Sequence, residues 1–427
     1  METSGNRQNA KFQRKTLTVE EARDALTRRV RLLPSERVGL LEAVGRRLAE
    51  PVKTSEPLPH FRRSGMDGFA VRFADVADAS PRRPVELEVV ERLPAGQEPI
   101  RPIAAGTAAR IMTGGIVPDG ADAVIMFEMA EEIERAGRTV VRIRKPIAQG
   151  ANITPIGEEA AADTPVLEAG AVIGAGQAAI LAALGCARVE VFRKPIVTVV
   201  STGTELLRVE EPLQPGKIRN SNAYMLAAQI AAAGGQPRLA GSIPDDSALA
   251  ERTIGELLHS DADLIVTTGG VSVGDYDRMA DFFLKWKGTT LFTKIAMRPG
   301  SPTSAGVWGD KFLIGLSGNP SACFVGFELF VRPVLAGMQG GKAEACRTFT
   351  AVLAADYMKA NGYTRYVRGR WYSRNGIHYV EPVGPDKSSA MLSLKEADCL
   401  IVIPPTKTGV AAGEVVEAIL LGDIAFA

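Results

Sequence analysis

Two rhythms of apolar and polar residues divide the chain. From Lys194 onward, Val197-Thr-Val-Val, Leu264-Ile-Val-Thr and Lys311 to Leu316 are short β-branched or aliphatic runs with no polar alternation. Strands buried on both faces have that pattern. Between and around them, Asn222 to Ala233, Ser247 to His259 and Ala322 to Leu335 carry helical periodicity, and Arg238 to Ile243 adds a strand. Strands alternating with helices predict a doubly wound, largely parallel αβα sheet over residues 191–340. Ligands of such sheets bind beyond the carboxyl ends of the strands. Three loops fall there: Ser201-Thr-Gly-Thr-Glu-Leu206, the stretch from Thr268 to Asp277, and Ser317-Gly-Asn-Pro-Ser321.

Upstream the rhythm differs. Thr18-Val-Glu-Glu21 is a capping box that predicts a helix through about Arg31. A second helical piece is expected from Glu42 to Glu50, with Leu41, Val44 and Leu48 at helical spacing, until Pro51, Pro57 and Pro59 break the pattern. Pro84 to Ile147 alternates in short β-like runs separated by Gly and Pro, which suits a small β domain. Gly170 to Leu184 is Ala-rich and helical again, so the β region reads as an insertion. Lys342 onward returns to short strands, Arg365 to Tyr372 and Cys399 to Pro404 among them. The expected organisation is a flexible tail (1–14), a helical linker segment (15–56 and 148–190), an inserted β domain (57–147), the αβα domain (191–340) and a compact C-terminal β domain (341–427).

Composition narrows the class of function. The 427 residues are 46% hydrophobic and 23% charged, with a formal net charge of +1, so no nucleic-acid or anionic-membrane partner is expected. No apolar run reaches the roughly 18 residues that span a bilayer, and Met1 to Arg14 lacks the apolar core of a secretory signal. The scattered cysteines (Cys186, Cys323, Cys346, Cys399) argue for a reducing cytoplasm and against structural zinc. His60, His259 and His378 lie far apart, which leaves acid–base work to carboxylates.

The candidate chemistry sits in the three loops. Gly269, Gly270 and Gly274 surround Val271-Ser272-Val273, and glycines past a strand let backbone N–H groups approach an anion. Asp277 opens a run, Arg278 to Lys287, read as a helix whose N-terminus would face the same point. Glu205, the pair Asp245 and Asp246, and the pair Asp275 and Asp277 each read singly as a helix cap or a helix N-terminal charge. Taken together, three acidic loops after successive strands would crowd like charges, and oxygen-only ligands make Mg²⁺ the expected relief. Arg298-Pro-Gly-Ser-Pro302 is either a rigid turn or a donor pair, Arg298 and Ser301, for a tetrahedral anion. Ser64-Gly-Met-Asp-Gly-Phe-Ala70 and Arg110-Ile-Met-Thr-Gly-Gly115 read on composition alone as a turn and a strand end. No His accompanies Ser201, Ser272 or Ser317, and no GxGxxG joins a strand to a helix, so neither a Ser-His-Asp enzyme nor a dinucleotide-binding site is expected.

These stretches, with Gly150-Ala-Asn-Ile, Thr268-Gly-Gly-Val-Ser-Val-Gly, Arg298-Pro-Gly and Gly318-Asn-Pro, occur in the order seen in the MoeA family of molybdopterin molybdenumtransferases, whose relatives include the E domains of gephyrin and plant Cnx proteins. The chain resembles that family over nearly its whole length. The resemblance implies a helical linker segment, an inserted β domain, an αβα molybdopterin-binding domain and a C-terminal β barrel. It further implies a homodimer with clefts between subunits, where Asp67 and Thr113 of one chain face Glu205, Asp245 and Asp277 of the other. The implied reaction takes adenylylated molybdopterin and molybdate, uses Mg²⁺ held by Glu205, Asp245 and Asp277, and releases AMP and molybdenum cofactor. A molybdopterin adenylyltransferase would be a transient partner supplying substrate. Substrate-binding positions carried over are Ser201, Thr202, Gly203, Gly269, Gly270, Ser272, Gly274, Arg298, Ser301, Ser317, Gly318, Asn319 and Pro320, with Arg365 and Ser388 from the C-terminal domain. Departures from the family are Ser301 in place of a lysine, Ser317 in place of a proline, Asn220 in place of an aspartate, and Thr154 where many members have arginine. The competing readings are an adenylyltransferase on the same sheet and a non-catalytic scaffold carrying the cofactor.

Overall fold

The computed structural model describes residues 16–244, 246–270, 282–283, 286–341 and 347–421. They separate into two compact units: Pro51–Glu168 with Ala183–Gly185, and the remainder of the chain.

The larger unit is built on a six-stranded sheet in the order Gln236–Ile243, Ile196–Thr202, Leu264–Thr268, Lys311–Leu316, Ser304–Trp308, Thr289–Phe292. Its first four strands are parallel and the last two complete it antiparallel. The unbroken apolar runs have a packing reason. Val197, Val199, Leu264, Val266, Phe312, Ile314 and Leu316 enter one core cluster, while Val200, Ile265 and Leu313 enter another with Ile254 and Leu258 of the helix Ser247–Leu258. Alternate residues face opposite layers, and both layers are covered. The first cluster also takes Val19, Ala22 and Leu26 from the helix Val19–Thr27, whose Thr18–Glu21 capping box is formed as expected. A continuous helical run, Pro320–Met338, is long and apolar enough to cross a membrane, but 83% of it is buried here and it serves as a core helix. Its wider π turn, Phe327–Val331, precedes Pro333, which has no N–H to donate to the preceding turn.

The C-terminal strands Thr364–Arg374, Ile377–Pro382, Thr348–Leu353, Val415–Leu420 and Cys399–Ile403 close on themselves, because the first pairs with both the second and the last. Leu353, Val367, Val380, Ile401, Ile403 and Ala418 fill this five-stranded barrel. A short strand, Met297–Arg298, joins it in parallel to Thr364–Arg374.

The smaller unit holds a second six-stranded sheet, in the order Ala123–Met126, Gly68–Val71, Thr107–Ile111, Val85–Leu93, Arg138–Ile143, Ala130–Arg135. Phe69 and Val71 point into one apolar cluster and Ala70 into another. Antiparallel pairs, Val52–Lys53 with Pro165–Leu167 and Arg63–Ser64 with Ile153–Thr154, run the chain in and out of the unit side by side.

Two helical expectations fail. The helix at Thr18 ends at Thr27 rather than near Arg31. The piece expected at Glu42 to Glu50 is a single turn, Leu40–Ala43, ended by Gly45 at φ +82°. Its neighbour Ser35–Gly39 is drawn instead into an antiparallel pair with Arg188–Phe192, a partner too distant in sequence for local periodicity to reveal. The helix expected from Arg278 to Lys287 lies largely outside the described residues.

Gly68 shows why one motif glycine is required. A Cβ there would stand 2.0 Å from the Ile125 carbonyl oxygen on the paired strand. Gly68→Ala is therefore expected to destabilise the smaller unit by roughly 3 kcal/mol, the upper end for overpacking. Denaturant unfolding should show the loss in that unit's transition while the transition of the larger unit stays in place.

Candidate active site

The strand register of the larger unit sets the site. Thr202 lies beside Ile243, Ser201 beside Thr268, and Thr268 beside Leu316, so the carboxyl ends of four parallel strands form one edge. The loops leaving that edge enclose a cleft of about 1280 Å³ together with the C-terminal barrel. Ser201, Thr202, Gly203 and Glu205 line it from the first loop, Gly269 and Gly270 from the second, and Ser317, Gly318, Asn319 and Pro320 from the third. Arg298 and Ser301 enter from the Pro-Gly turn, and Arg365 and Ser388 from the barrel. Residues spread over almost two hundred positions of sequence thus meet in one place. Ser272, Gly274, Asp245 and Asp277 lie outside the described residues.

Hydrogen bonds tie the loops to one another. Asn222 Nδ2 donates to Thr268 Oγ1 and to the Gly318 carbonyl, both at 2.9 Å, and Thr268 Oγ1 donates to the Ser317 carbonyl at 3.1 Å. Asn220 caps the helix Ser221–Ala232: its Oδ1 accepts from Ala223 N at 3.2 Å and from the Ser201 hydroxyl at 3.1 Å. Gly269, at φ +93°, passes so close to Thr202 that a Cβ would stand 2.3 Å from its carbonyl oxygen, and its N–H donates to the Leu316 carbonyl at 3.2 Å, so the position requires glycine. The Glu205 carboxylate folds back over the Cα of Gly203. Of the adjacent aspartates after Ile243, Asp246 is occupied as the N-cap of Ser247–Leu258, accepting from Ala248 N and Leu249 N.

Several cleft residues carried no signal in the sequence. Lys294 is presented by a segment that pairs with Leu17, and Lys359, Tyr363, Asp386, Ser389 and Met391 come from barrel loops of ordinary polar composition. Their convergence is tertiary, and no spacing rule marks it. Arg298 and Arg365 are register partners on adjacent parallel strands. Like charges so placed repel, and Asp386 relieves the pair by accepting from Arg365 Nη1 at 2.6 Å. Ser301 donates its hydroxyl to the Ile295 carbonyl at 2.7 Å, and its own carbonyl accepts from Ile295 N. It thereby braces the turn between Lys294 and Arg298.

The barrel lip is anchored by Arg368, which is 1% exposed. Its guanidinium donates to Ser393 Oγ (2.8 Å), to the Pro385 carbonyl (2.7 Å) and to Ser321 Oγ. The loop holding Asp386 and Ser388 is thus fixed against the turn that follows Asn319, and Ser321 N donates to the Ser388 carbonyl at 3.0 Å.

In the smaller unit Asp67 and Thr113 are brought together. Asp67 Oδ1 accepts from the Thr113 N–H at 2.6 Å and from its hydroxyl at 2.7 Å. The backbone donor first and the hydroxyl second hold the Asp67 carboxyl below the usual carboxylate range, so it is ionised at neutral pH. Among the described residues no group of three or more His, Cys, Asp or Glu side chains is placed to hold a metal ion.

A doubly wound domain whose loop edge gathers glycines, a carboxylate and cations, closed by a small barrel, defines a protein that handles an anionic ligand. Comparison with known proteins makes the class specific. Residues 17–185 match the MoeA N-terminal region (domain I and II), 198–337 a probable molybdopterin binding domain, and 350–421 the MoeA C-terminal region (domain IV). A molybdopterin molybdenumtransferase of Bacillus subtilis is 41% identical over 91% of this chain and 90% of its own length, and one of Staphylococcus epidermidis is 38% identical over 97% of each. The crystal structure of a molybdopterin biosynthesis moeA protein from Pyrococcus horikoshii OT3 superposes with a TM-score of 0.81 at 31% identity, covering 95% of this chain and 100% of that one. The chain belongs to the MoeA family.

Two outcomes are expected. Asn222→Ala leaves the Gly318 carbonyl and the Thr268 hydroxyl short of a donor, and should cost about 1–3 kcal/mol in urea unfolding. Thr113→Val removes the weaker of the two donors to Asp67, so a carboxyl-carbon NMR titration should show its pKa rising part of the way to the ordinary value. Because the folded value lies below the unfolded one, the Thr113 contacts contribute stability above the unfolded pKa and lose it as pH falls through the folded one. An unchanged Asp67 titration would contradict the assignment.

Proposed function

We propose that this chain is a molybdopterin molybdenumtransferase, which takes adenylylated molybdopterin and molybdate and yields molybdenum cofactor and AMP. The observation that carries the reading is a single cleft lined by Gly269 and Gly270, the Glu205 carboxylate, and Lys294 and Arg298, whose side chains have no partner among the described residues. The Gly269 N–H is spent on the Leu316 carbonyl, which leaves the Gly270 N–H to suit the substrate phosphate, and the two cations suit a tetrahedral dianion such as molybdate.

Mg²⁺ belongs to the proposal as well. Glu205 supplies a hard oxygen donor at the strand edge. With Asp245 and Asp277, as the family resemblance implies, it would supply the all-oxygen ligands that suit the ion. Bound there, the cation would neutralise charge that develops as the phosphoanhydride is cleaved. In this reading Asp67 would orient water or the metal, and Glu205 would serve as a ligand of the ion. We extend the proposal to a homodimer in which Asp67, held ionised by Thr113, serves the cleft of the partner subunit. The free thiols of Cys186, Cys323 and Cys399 fit a reducing cytoplasm.

Turnover of purified adenylylated molybdopterin tests the reading, with AMP as the readout. AMP release should require both molybdate and Mg²⁺, and Glu205→Gln should reduce it at least a hundredfold, about 2.7 kcal/mol at the barrier, at unchanged melting temperature. If the protein instead forms the AMP ester from ATP and metal-free molybdopterin, the reading is wrong.

A further inference from the structure

Five cationic residues line the cleft, and they are not equivalent. Arg219 spends its guanidinium on the Glu211 carbonyl, at 3.2 Å from Nε and 3.1 Å from Nη2. Lys294 and Arg298 are unpartnered among the described residues. Arg365 and Lys359 share one carboxylate oxygen: Asp386 Oδ2 accepts from Arg365 Nη1 at 2.6 Å, from Lys359 Nζ at 3.3 Å, and from the Tyr357 hydroxyl. The side chains of Arg365 and Asp386 are 14% and 16% exposed, so water and salt screen this pair weakly. Arg365 is nevertheless incompletely satisfied, since its Nε is buried without a partner among the described residues. Asp386 itself is held in place from outside the pair, because the loop that carries it is pinned by Arg368 through the Pro385 carbonyl.

We propose that Asp386 is a resident competitor for the anion this cleft takes: its carboxylate engages Arg365 and Lys359, so an incoming oxyanion must compete with it for those two cations. The proposal rests on the reading of the cleft as an oxyanion site and adds what sets its selectivity. A single carboxylate oxygen serves three donors. A tetrahedral dianion brings twice the charge and more acceptor oxygens to the same donors, and can outcompete it. A monoanion cannot, and is left with Lys294 and Arg298 alone. Asp386 therefore lowers affinity for every anion, but lowers it most for the wrong ones. The alternative role, a carboxylate that only orients Arg365, predicts the opposite sign, because Arg365 without its partner would then present its donors less well.

The two roles separate on neutral variants of the full-length protein. Asp386→Asn keeps the shape and removes the charge, Asp386→Ser gives a second neutral form should the first fail to fold, and Asp386→Glu keeps the charge. Titration calorimetry with molybdate, sulfate and nitrate at several salt concentrations gives the readout. The neutral variants should bind molybdate and sulfate at least tenfold more tightly, about 1.4 kcal/mol. They should also acquire measurable nitrate binding and gain more melting temperature from added anion than the wild type, while Asp386→Glu stays close to wild type. Neutral variants that bind as the wild type does, or more weakly, would overturn the proposal and leave Asp386 as an orienting group. Molybdate binding to none of the proteins would instead overturn the oxyanion reading on which it stands.

Discussion

Asn222 is the point on which the cleft depends. A parallel sheet aligns its strand ends through ladder hydrogen bonds, but one residue beyond the strand that ladder stops and each loop is free to move independently. Here the amide of Asn222, on the helix that follows the first loop, spends both N–H bonds on the other two loops, at Thr268 and Gly318. Thr268 passes the tie on to Ser317. The two donors are satisfied by the same loops that must be held, while the Asn222 Oδ1 is buried without a partner among the described residues, so the tie is made by the amide N–H groups alone. The residue is 8% exposed, so water competes little for those bonds.

Arg368 does the corresponding work from the barrel. A guanidinium buried this deeply is costly unless its N–H groups find acceptors, and the acceptors it finds belong to the turn after Asn319 and to the lip loop. The requirement to satisfy one buried cation thus fixes the spacing between the floor of the cleft and its lip. The parallel pairing of Met297–Arg298 with Thr364–Arg365 adds a second joint between the same two domains. It also sets two arginines side by side, an arrangement whose repulsion calls for an anion. One is already present as Asp386, and the geometry leaves Arg298 for another.

How much of this the sequence disclosed depended on whether the cause was local. The strands Ile196–Thr202, Leu264–Thr268 and Lys311–Leu316 were legible because a strand buried on both faces must be continuously apolar, and the capping box at Thr18 because both of its hydrogen bonds join residues three apart. The supposed helix at Glu42 to Glu50 misled because its apolar spacing was real, while Gly45 and the distant strand Arg188–Phe192 decided the outcome. In the site, the glycine loops and Glu205 were visible as exceptions to strand–helix grammar. Lys294, Lys359 and Asp386 were not, since they reach the cleft from an irregular segment and from barrel loops, and nothing near them in sequence differs from ordinary surface.

The departures from the family pattern become intelligible in pairs rather than singly. Asn220 stands where the family has an aspartate, and Ser301 where it has a lysine. Each retains a structural duty that needs no charge: Asn220 Oδ1 still caps its helix and accepts from Ser201, and the Ser301 hydroxyl still closes the turn onto Ile295. What the two replacements remove is one negative and one positive charge, and both positions line the same cleft. The net charge offered to a ligand is therefore unchanged. Had only the lysine been lost, the cleft would have weakened for every anion. With the aspartate gone as well, the lost negative charge on the Ser201 side offsets the lost positive charge on the Ile295 side, and Lys294 and Arg298 remain the cations without a partner among the described residues.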